Sequence, residues 1–117
     1  MEKSNYERLR GMLGFAMRAG KVVIGTDLVC RAMARRDKGK PKIVLISLAA
    51  SEGTKKKVLT KSEFYGIPAE IIDISKEELG RLLGKLFAPS AVAVTDTGFA
   101  KEIEKALSPA HETQDAT

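Results

Sequence analysis

One continuous segment, residues 18–51, sets the architecture expected for this chain: it reads RAGKVVIGTDLVCRAMARRDKGKPKIVLISLAAS. Its first apolar run, 22–24, suits a short strand, and a turn at Gly25 and Thr26 follows it. An amphipathic helix, a basic linker that ends at Pro41 and a fully apolar strand over 43–46 complete the segment. The segment is therefore interpreted as one βαβ unit, whose turn presents backbone N–H groups and a helix N-terminus at one edge of a sheet.

The same periodicities extend this pattern in both directions along the chain. The further elements expected are helices over 4–17, 51–65, 75–83 and 97–107 and strands over 69–74 and 91–94. The resulting order, αβαβαβαβα, predicts an α/β fold in which a sheet of about four strands has helices on both faces, a three-layer α/β/α sandwich.

Helix ends and helix faces can be predicted in the same way. Gly20 suits a left-handed helix-end position, Thr26 or Asp27 can cap the second helix, and Ser51 can cap the third. Ser75 with Glu78 reads as a capping box, and Asp96 or Thr97 can cap the last helix. The second helix is expected to pack on the sheet through one apolar stripe, Leu28, Val29, Ala32 and Met33.

Composition limits the class of protein. The 117 residues fit one domain, expected over 1–107, followed by a polar and disordered tail over 108–117. No apolar run approaches the roughly 18 residues of a membrane span, and the N-terminus shows no signal region. A lone Cys30 cannot form an internal disulfide, which together with the missing signal region predicts the reducing cytoplasm. We also expect a monomer with no membrane contact.

Charge is divided unevenly along the chain. The net charge is +5, yet residues 1–61 carry +10 and residues 62–117 carry −5. Cations gathered in one region can together release counterions from a phosphate backbone. The alternative interpretation is solvated helix faces that confer solubility. Because the two halves differ in sign, the pattern favours nucleic-acid binding.

Residues for catalysis are scarce. The only histidine, His111, lies in the tail, and Cys30 falls on the apolar side of a helix, which excludes a Cys–His nucleophile pair or a thiolate–imidazole metal cluster. Two stretches end in Gly-Lys, 14–21 and 80–85, but neither has the spacing of a phosphate-binding P-loop. Two carboxylate pairs, Glu77 with Glu78 and Asp73 with Asp96, could in principle lie at strand ends where α/β sites form, but capping explains Glu78 and Asp96 better. We therefore predict no enzyme, no catalytic residues, no metal and no cofactor.

What remains is a cationic edge. Lys21, Gly25, Thr26 and Arg31 are expected to cluster at one end of the sheet, where amides and a guanidinium can fix a phosphate. Lys55, Lys56 and Lys57 begin the third helix, where cations oppose the helix dipole and an external anion would relieve the conflict. The loop 85–89 should emerge at the same end, and its Leu86 and Phe87 are either core anchors or an apolar ledge for an extruded base.

Several motifs, taken in order, resemble one family. These are LGFAMRAGK (13–21), GTD (25–27), SEGTKKK (51–57), GIP (66–68), ELG (78–80) and AVAV (91–94). Together they are similar to the L7Ae family of ribosomal and kink-turn RNA-binding proteins, most of all its bacterial YlxQ-type, ribosomal-protein-like branch. The resemblance covers about residues 8–104. It implies a three-layer fold with a mixed, L30e-like sheet and RNA recognition by two elements.

The first element implied is a Gly-Thr/Ala-Asn-Glu-x-x-Lys turn and helix start, which reads the sheared G·A pairs of a kink-turn. The second is an apolar loop before the last strand, which covers a flipped-out nucleotide. Lys21, Gly25, Thr26 and Arg31 fit the first pattern, whereas Asp27 replaces its Asn and Leu28 its Glu. An ionised Asp can only accept hydrogen bonds, and Leu forfeits an acceptor. Likewise, Leu48 and Ala49 replace an acidic pair that is common in the second loop.

The leading hypothesis is a non-enzymatic protein that binds structured RNA, ribosomal or another stable RNA, with the ribosome as a possible assembly. Its predicted RNA-binding residues are Lys21, Gly25, Thr26, Asp27, Arg31, Lys55, Lys56, Lys57, Leu86 and Phe87. The alternative is a protein-interaction adaptor on the same fold, with the acidic half as its interface through Glu63, Glu70, Asp73, Glu77 and Glu78.

Overall fold

The computed structural model describes residues 3–107, along which helices and strands alternate as predicted. The elements are α1 (Lys3–Arg18), β1 (Val22–Ile24), α2 (Thr26–Met33), β2 (Ile43–Ser47), α3 (Glu52–Tyr65), β3 (Ala69–Ile72), α4 (Lys76–Leu82), β4 (Ala91–Val94) and α5 (Thr97–Leu107). The predicted tail, with His111, lies outside the described residues. Within 3–107, no helix has the length and apolar content needed to cross a membrane.

The four strands form one mixed sheet in the order β1-β4-β2-β3. Strands β2 and β3 are parallel, while β4 runs antiparallel to both of its neighbours. Ala93 of β4 therefore pairs with Val23 on one side and with Val44 on the other. Strands β1 and β2 point the same way, as a βαβ unit requires, but β4 lies between them.

Strand β2 is the centre of the molecule, and all five of its residues are buried. Successive side chains of a strand point to opposite faces. Ile43 and Leu45 accordingly pack with α1, α4 and α5, whereas Val44 and Ile46 pack with α2 and α3. An apolar strand without alternation is thus explained by burial on both faces, and the predicted three-layer sandwich is confirmed.

One edge of the sheet collects the segments that matter for function. The carboxyl ends of β1, β2 and β3 meet there with the amino end of β4; we call this the carboxyl edge, defined by Gly25, Leu48, Asp73 and Ser90. Backbone N–H groups of Gly25, Ser47 and Leu48 donate to carbonyl oxygens of Ala91, Ser90 and Ile72, each at 2.9 Å. These bonds hold the loops of the carboxyl edge side by side.

Most predicted helix ends are confirmed. Gly20 adopts a φ of 70° after α1. The hydroxyl oxygens of Ser51 and Ser75 accept from the N–H groups of Thr54 and Glu78, at 3.1 and 3.0 Å. The Asp96 carboxylate accepts from the Phe99 N–H at 2.9 Å.

Three local predictions were wrong. Neither Thr26 nor Asp27 caps α2, because Gly25 occupies the cap position and no side chain bonds to the first turn. Leu28 does not join the apolar stripe; it is 54% exposed, whereas Val29, Ala32 and Met33 are buried. The third strand ends at Ile72 rather than residue 74, since the chain bends there and the N–H of residue 74 bonds back to the Ile72 carbonyl.

Candidate nucleic-acid interface

The turn at Gly25 places the start of α2 on the carboxyl edge. Gly25 has a φ of 103°, a backbone conformation that side-chain-bearing residues rarely adopt. Its N–H donates to the Ala91 carbonyl and its own carbonyl accepts from the Val29 N–H, both at 2.9 Å. Gly25 and Thr26 are partly exposed. The turn is therefore fixed in place and open to solvent.

The first turn of α2 carries unused hydrogen-bonding capacity. The first N–H groups of any helix have no partner within the helix, and here no side chain caps them. Together with the helix dipole, these groups give the start of α2 a partial positive charge. Asp27 lies beside them, and its carboxylate is 84% exposed. An oxyanion or a base edge can approach the backbone at this point.

The loop before β4 forms an apolar ledge next to the turn. Leu86 is fully exposed and Phe87 is 55% exposed, so the core-anchor interpretation of these two residues was wrong. The loop backbone lies directly on α4, where a Cβ on Gly80 would overlap the Phe87 carbonyl oxygen. The loop leads into β4, whose first residue, Ala91, accepts a hydrogen bond from the Gly25 N–H. The loop and the α2 turn therefore adjoin the sheet at the same end.

Two further apolar side chains are exposed in segments that begin at the carboxyl edge. Leu28 in the first turn of α2 is 54% exposed and Leu48, just after β2, is 48% exposed. Sequence reasoning did not assign either to the site as a contact. The signal was available, since both stand where the family pattern has a polar or acidic residue. The edge consequently offers more apolar surface than the family pattern implies.

The predicted lysine triplet does not act as one unit. The Lys55 side chain is only 13% exposed, and its ammonium group lies 3.0 Å from the Glu52 carboxylate. Lys56 is exposed, and Lys57 lies 3.8 Å from the Asp27 carboxylate across the gap between α2 and α3. The structure therefore brings Lys57 to the α2 turn and ties Lys55 to its own helix.

Lys21 was expected beside Gly25, and this placement was wrong. Its carbonyl oxygen accepts from the Thr95 N–H at 2.9 Å, at the end of the sheet where β1 begins and β4 finishes. Four residues of extended chain, about 13 Å, separate it from Gly25. Arg31, by contrast, is exposed one helical turn along α2 from Asp27. The cationic edge is therefore built on α2 and α3.

An ion pair behind α2 orders the linker to β2. The Arg35 guanidinium donates two hydrogen bonds of 2.8 Å to the Asp37 carboxylate, which also accepts from the Gly39 N–H at 2.9 Å. The bonds from Arg35, then the bond from Gly39, hold the pKa of Asp37 well below its usual range. The same pairing raises the pKa of Arg35. This contact shapes the linker and lies away from the α2 turn.

The acidic side chains of the second half of the chain are the proposed interface of the alternative hypothesis, a protein-interaction adaptor. Among residues 3–107, no group of three or more His, Cys, Asp or Glu side chains could hold a metal ion. Glu70 on β3 and Asp73 after it are exposed, while the Glu78 carboxylate pairs with Arg81. Nothing in this arrangement tests the adaptor hypothesis, which stays a prediction.

Comparison with known proteins gives consistent matches. Residues 7–104 match the family described as Ribosomal protein L7Ae/L30e/S12e/Gadd45 family. An RNA-binding protein YlxQ from Enterococcus faecium is 37% identical over 108 residues, covering 92% of this chain and 98% of the relative. Another, from Bacillus subtilis, is 42% identical over 92 residues, covering 79% and 87%.

Solved structures share the fold. A Bacillus halodurans protein of unknown function has a TM-score of 0.75 and 31% identity, covering 84% of this chain and 94% of its own. A Giardia lamblia 15.5 kD RNA binding protein has a TM-score of 0.72 and 14% identity, covering 93% and 89%. At that identity, the second match bears on the fold alone.

Proposed function

Since this chain belongs to the L7Ae/L30e/S12e/Gadd45 family of ribosomal proteins, we propose that it is an RNA-binding protein that docks a kink-turn or related structured RNA at the start of α2. The observation that carries the proposal is that an uncapped helix start lies beside the first residue of β4, through the Gly25–Ala91 hydrogen bond, and that the exposed apolar loop leads into that strand. The names of the YlxQ relatives support RNA as the partner.

Phosphate contacts come from the α2 turn and the cations beside it. The open backbone N–H groups of the first turn, those of residues 26–28, and the helix dipole attract a phosphate oxygen beside Gly25 and Thr26. Arg31, Lys56 and Lys57 are exposed around the turn and add charge-assisted contacts. Such contacts position an RNA without reading its sequence. Lys21 and Lys55 contribute to the positive electrostatic potential of the surface. Lys21 does so from the end of the sheet where β1 begins.

Base recognition falls to Asp27 and the apolar ledge. The exposed Asp27 carboxylate can accept hydrogen bonds from guanine N–H groups but cannot donate any. Leu86 and Phe87 offer a surface on which an extruded base stacks, and Leu28 and Leu48 add exposed apolar surface. Recognition would then depend more on apolar contact than the Asn-Glu pattern of the family implies.

The proposal extends to the cellular setting. The RNA is a stable one, ribosomal RNA included, and the protein acts as a cytoplasmic monomer without catalysis. Binding to an assembled ribosome would follow if the RNA is part of it.

A salt titration with three RNAs tests the proposal. Binding is measured for a kink-turn RNA, the same RNA with its G·A pairs replaced by Watson–Crick pairs, and a plain duplex. We expect the kink-turn RNA to bind tightest, with affinities that fall steeply with salt. Arg31→Ala should reduce the slope by about one. Lys101→Ala, which removes an exposed cation from α5 in the opposite layer, is the matched control. Weak, salt-insensitive binding of all three would overturn the proposal.

A further inference from the structure

A groove of about 350 Å³ lies between α2 and α3. It begins at the carboxyl edge and extends from there along the two helices. Both helices begin at that edge, because each follows a strand of the same direction, and they run side by side. The groove is lined by Asp27, Arg31, Lys57, Lys61 and Tyr65, among others. It therefore starts at the α2 turn and continues along the outer helical layer.

Charged side chains of α2 and α3 face each other at successive positions along the groove; we call this arrangement the ladder and each position a step. Residues four apart on a helix lie on one face, separated by about 6 Å along the axis. Asp27 and Lys57, 3.8 Å apart, form the first step, and Arg31 and Lys61 form the second. Neither Arg31 nor Lys61 has a carboxylate partner within the described part of the chain. Positive charge thus outweighs negative charge along the groove.

Aromatic side chains lie at the far end of the ladder. Tyr65 occupies the third step, and the Lys40 ammonium group lies 5.8 Å from the centre of its ring. The neighbouring Phe64 is 80% exposed, and its ring meets the Tyr65 ring edge to face, with centres 4.9 Å apart. A lone exposed apolar residue needs no explanation. A basic groove that ends at an exposed aromatic ring is, however, the combination that binds single strands.

We propose that this groove binds a single-stranded RNA segment that continues from the structured RNA at the α2 turn. Lys57 contacts one phosphate, Arg31 and Lys61 together contact the next, and an unpaired base stacks on Phe64. From Lys57 to Tyr65 the track is about 12 Å long, which is enough for a few nucleotides of single strand. This inference rests on the proposed function for the position of the strand's first nucleotide.

A single strand fits better than a duplex for two reasons. The axes of packed helices are about 8–10 Å apart. The surface groove between α2 and α3 is therefore wide enough for one phosphate backbone and too narrow for a paired helix. Stacking on Phe64 also requires a base that is not already paired. The partner is therefore recognised by its phosphates and by a free base face, with little dependence on sequence.

The experiment compares four versions of one kink-turn RNA: blunt, with a four-nucleotide overhang at the 5′ end, with one at the 3′ end, and with the overhang paired. Fluorescence anisotropy measures the affinity of each. We expect one overhang to raise the affinity of the wild-type protein by about fivefold or more, the effect of one stacked base. Pairing the overhang should abolish the gain.

Variants assign the gain to the groove. Phe64→Ala should remove most of it without changing the affinity for blunt RNA, and Phe64→Trp should retain it. Lys61→Ala should lower the salt slope for the overhang RNA by about 0.7, the value for one contact to a single strand. Phe15→Ala, which removes a 49% exposed ring from α1 in the opposite layer, is the matched control and should leave the gain intact.

The outcomes separate this inference from the proposed function. Tight binding of blunt RNA with no gain from either overhang, or an equal gain when the overhang is paired, would overturn the groove proposal and leave the proposed function standing. If the wild-type protein does not bind blunt RNA but binds the overhang strand alone, and this binding depends on Phe64, the proposed function is overturned and the groove for single strands is retained.

Discussion

The backbone N–H of Gly25 donates to the carbonyl oxygen of Ala91 at 2.9 Å, and this bond joins the start of α2 to the first residue of β4. Two segments that are distant in sequence thereby meet at one end of the sheet, and the loop that carries the exposed Leu86 and Phe87 leads into one of them. Because β4 lies between β1 and β2, this contact belongs to the sheet itself. The interface therefore rests on a rigid part of the fold.

Replacing Gly25 with alanine should damage both stability and RNA binding. The φ of 103° is strained for any residue with a Cβ, and forcing it costs about 1–3 kcal/mol. We expect a lower free energy of unfolding in denaturant titrations and weaker binding of kink-turn RNA, since relaxing the strain moves the N–H away from Ala91.

Gly11→Ala provides the matched control. Gly11 lies within α1, is exposed, and has open space where a Cβ would be. Alanine is favoured over glycine in a helix by about 0.8–1 kcal/mol, so this change should stabilise the protein and leave RNA affinity unaltered. Equal effects of the two substitutions would contradict the role assigned to the Gly25 backbone.

Gly80→Ala should reverse the usual helical preference for alanine. A Cβ at this position of α4 would overlap the Phe87 carbonyl oxygen, and relieving such crowding typically costs about 1–3 kcal/mol. The ledge must then shift off α4. We expect lower stability by denaturant titration and a loss of RNA affinity, while far-ultraviolet circular dichroism stays unchanged. A more stable protein with normal RNA binding would show that the loop does not depend on this contact.

Local patterns in this chain predicted the elements well, because each carries its own signal. The capping bonds of Ser51, Ser75 and Asp96 lie within a few residues of sequence, and the unbroken apolar run of β2 follows from burial on both faces. The position of β4 between β1 and β2 could not be predicted that way, because strand pairing is a long-range property.

The site was predicted less well for related reasons. Lys21 and Gly25 are close in sequence, yet a strand separates them and places them at opposite ends of the sheet. Leu28 continues the apolar stripe by spacing, but it lies in an open groove beside the edge strand β1 and stays 54% exposed. The pairing of Lys57 with Asp27 depends on how α2 and α3 pack, which helical periodicity does not specify.

The Asp37 carboxylate should confer a pH-dependent contribution to stability. Hydrogen bonds from Arg35, and then from Gly39, lower the pKa of Asp37 in the folded state. A carboxyl group with a lowered pKa stabilises the fold above its unfolded pKa of about 3.9, and this contribution is lost as the pH falls. The difference in unfolding free energy between wild type and Asp37→Asn should therefore be largest near neutral pH and disappear in acid.

Nuclear magnetic resonance titration of the Asp37 carboxyl carbon checks the cause. In the wild-type protein the Asp37 carboxyl should remain ionised at pH values well below the usual pKa of an aspartate. The Arg35→Ala variant should move the pKa of Asp37 back towards its ordinary value. A titration that does not respond to Arg35→Ala would show that the guanidinium is not the principal cause.

Asp27→Asn should strengthen binding of kink-turn RNA. The amide restores a hydrogen-bond donor at a base edge, removes a negative charge from the phosphate-facing turn and releases Lys57 from its 3.8 Å contact. One good base-edge contact contributes about 1–3 kcal/mol of discrimination, so affinity for RNA with intact G·A pairs should rise about fivefold or more relative to RNA with Watson–Crick pairs. Competition binding with the two RNAs measures this ratio.

Asp73→Asn makes the same change of charge at an exposed position after β3 on the carboxyl edge, and should not alter the ratio. An equal gain from both variants would mean that net charge, and not the Asp27 position, limits recognition.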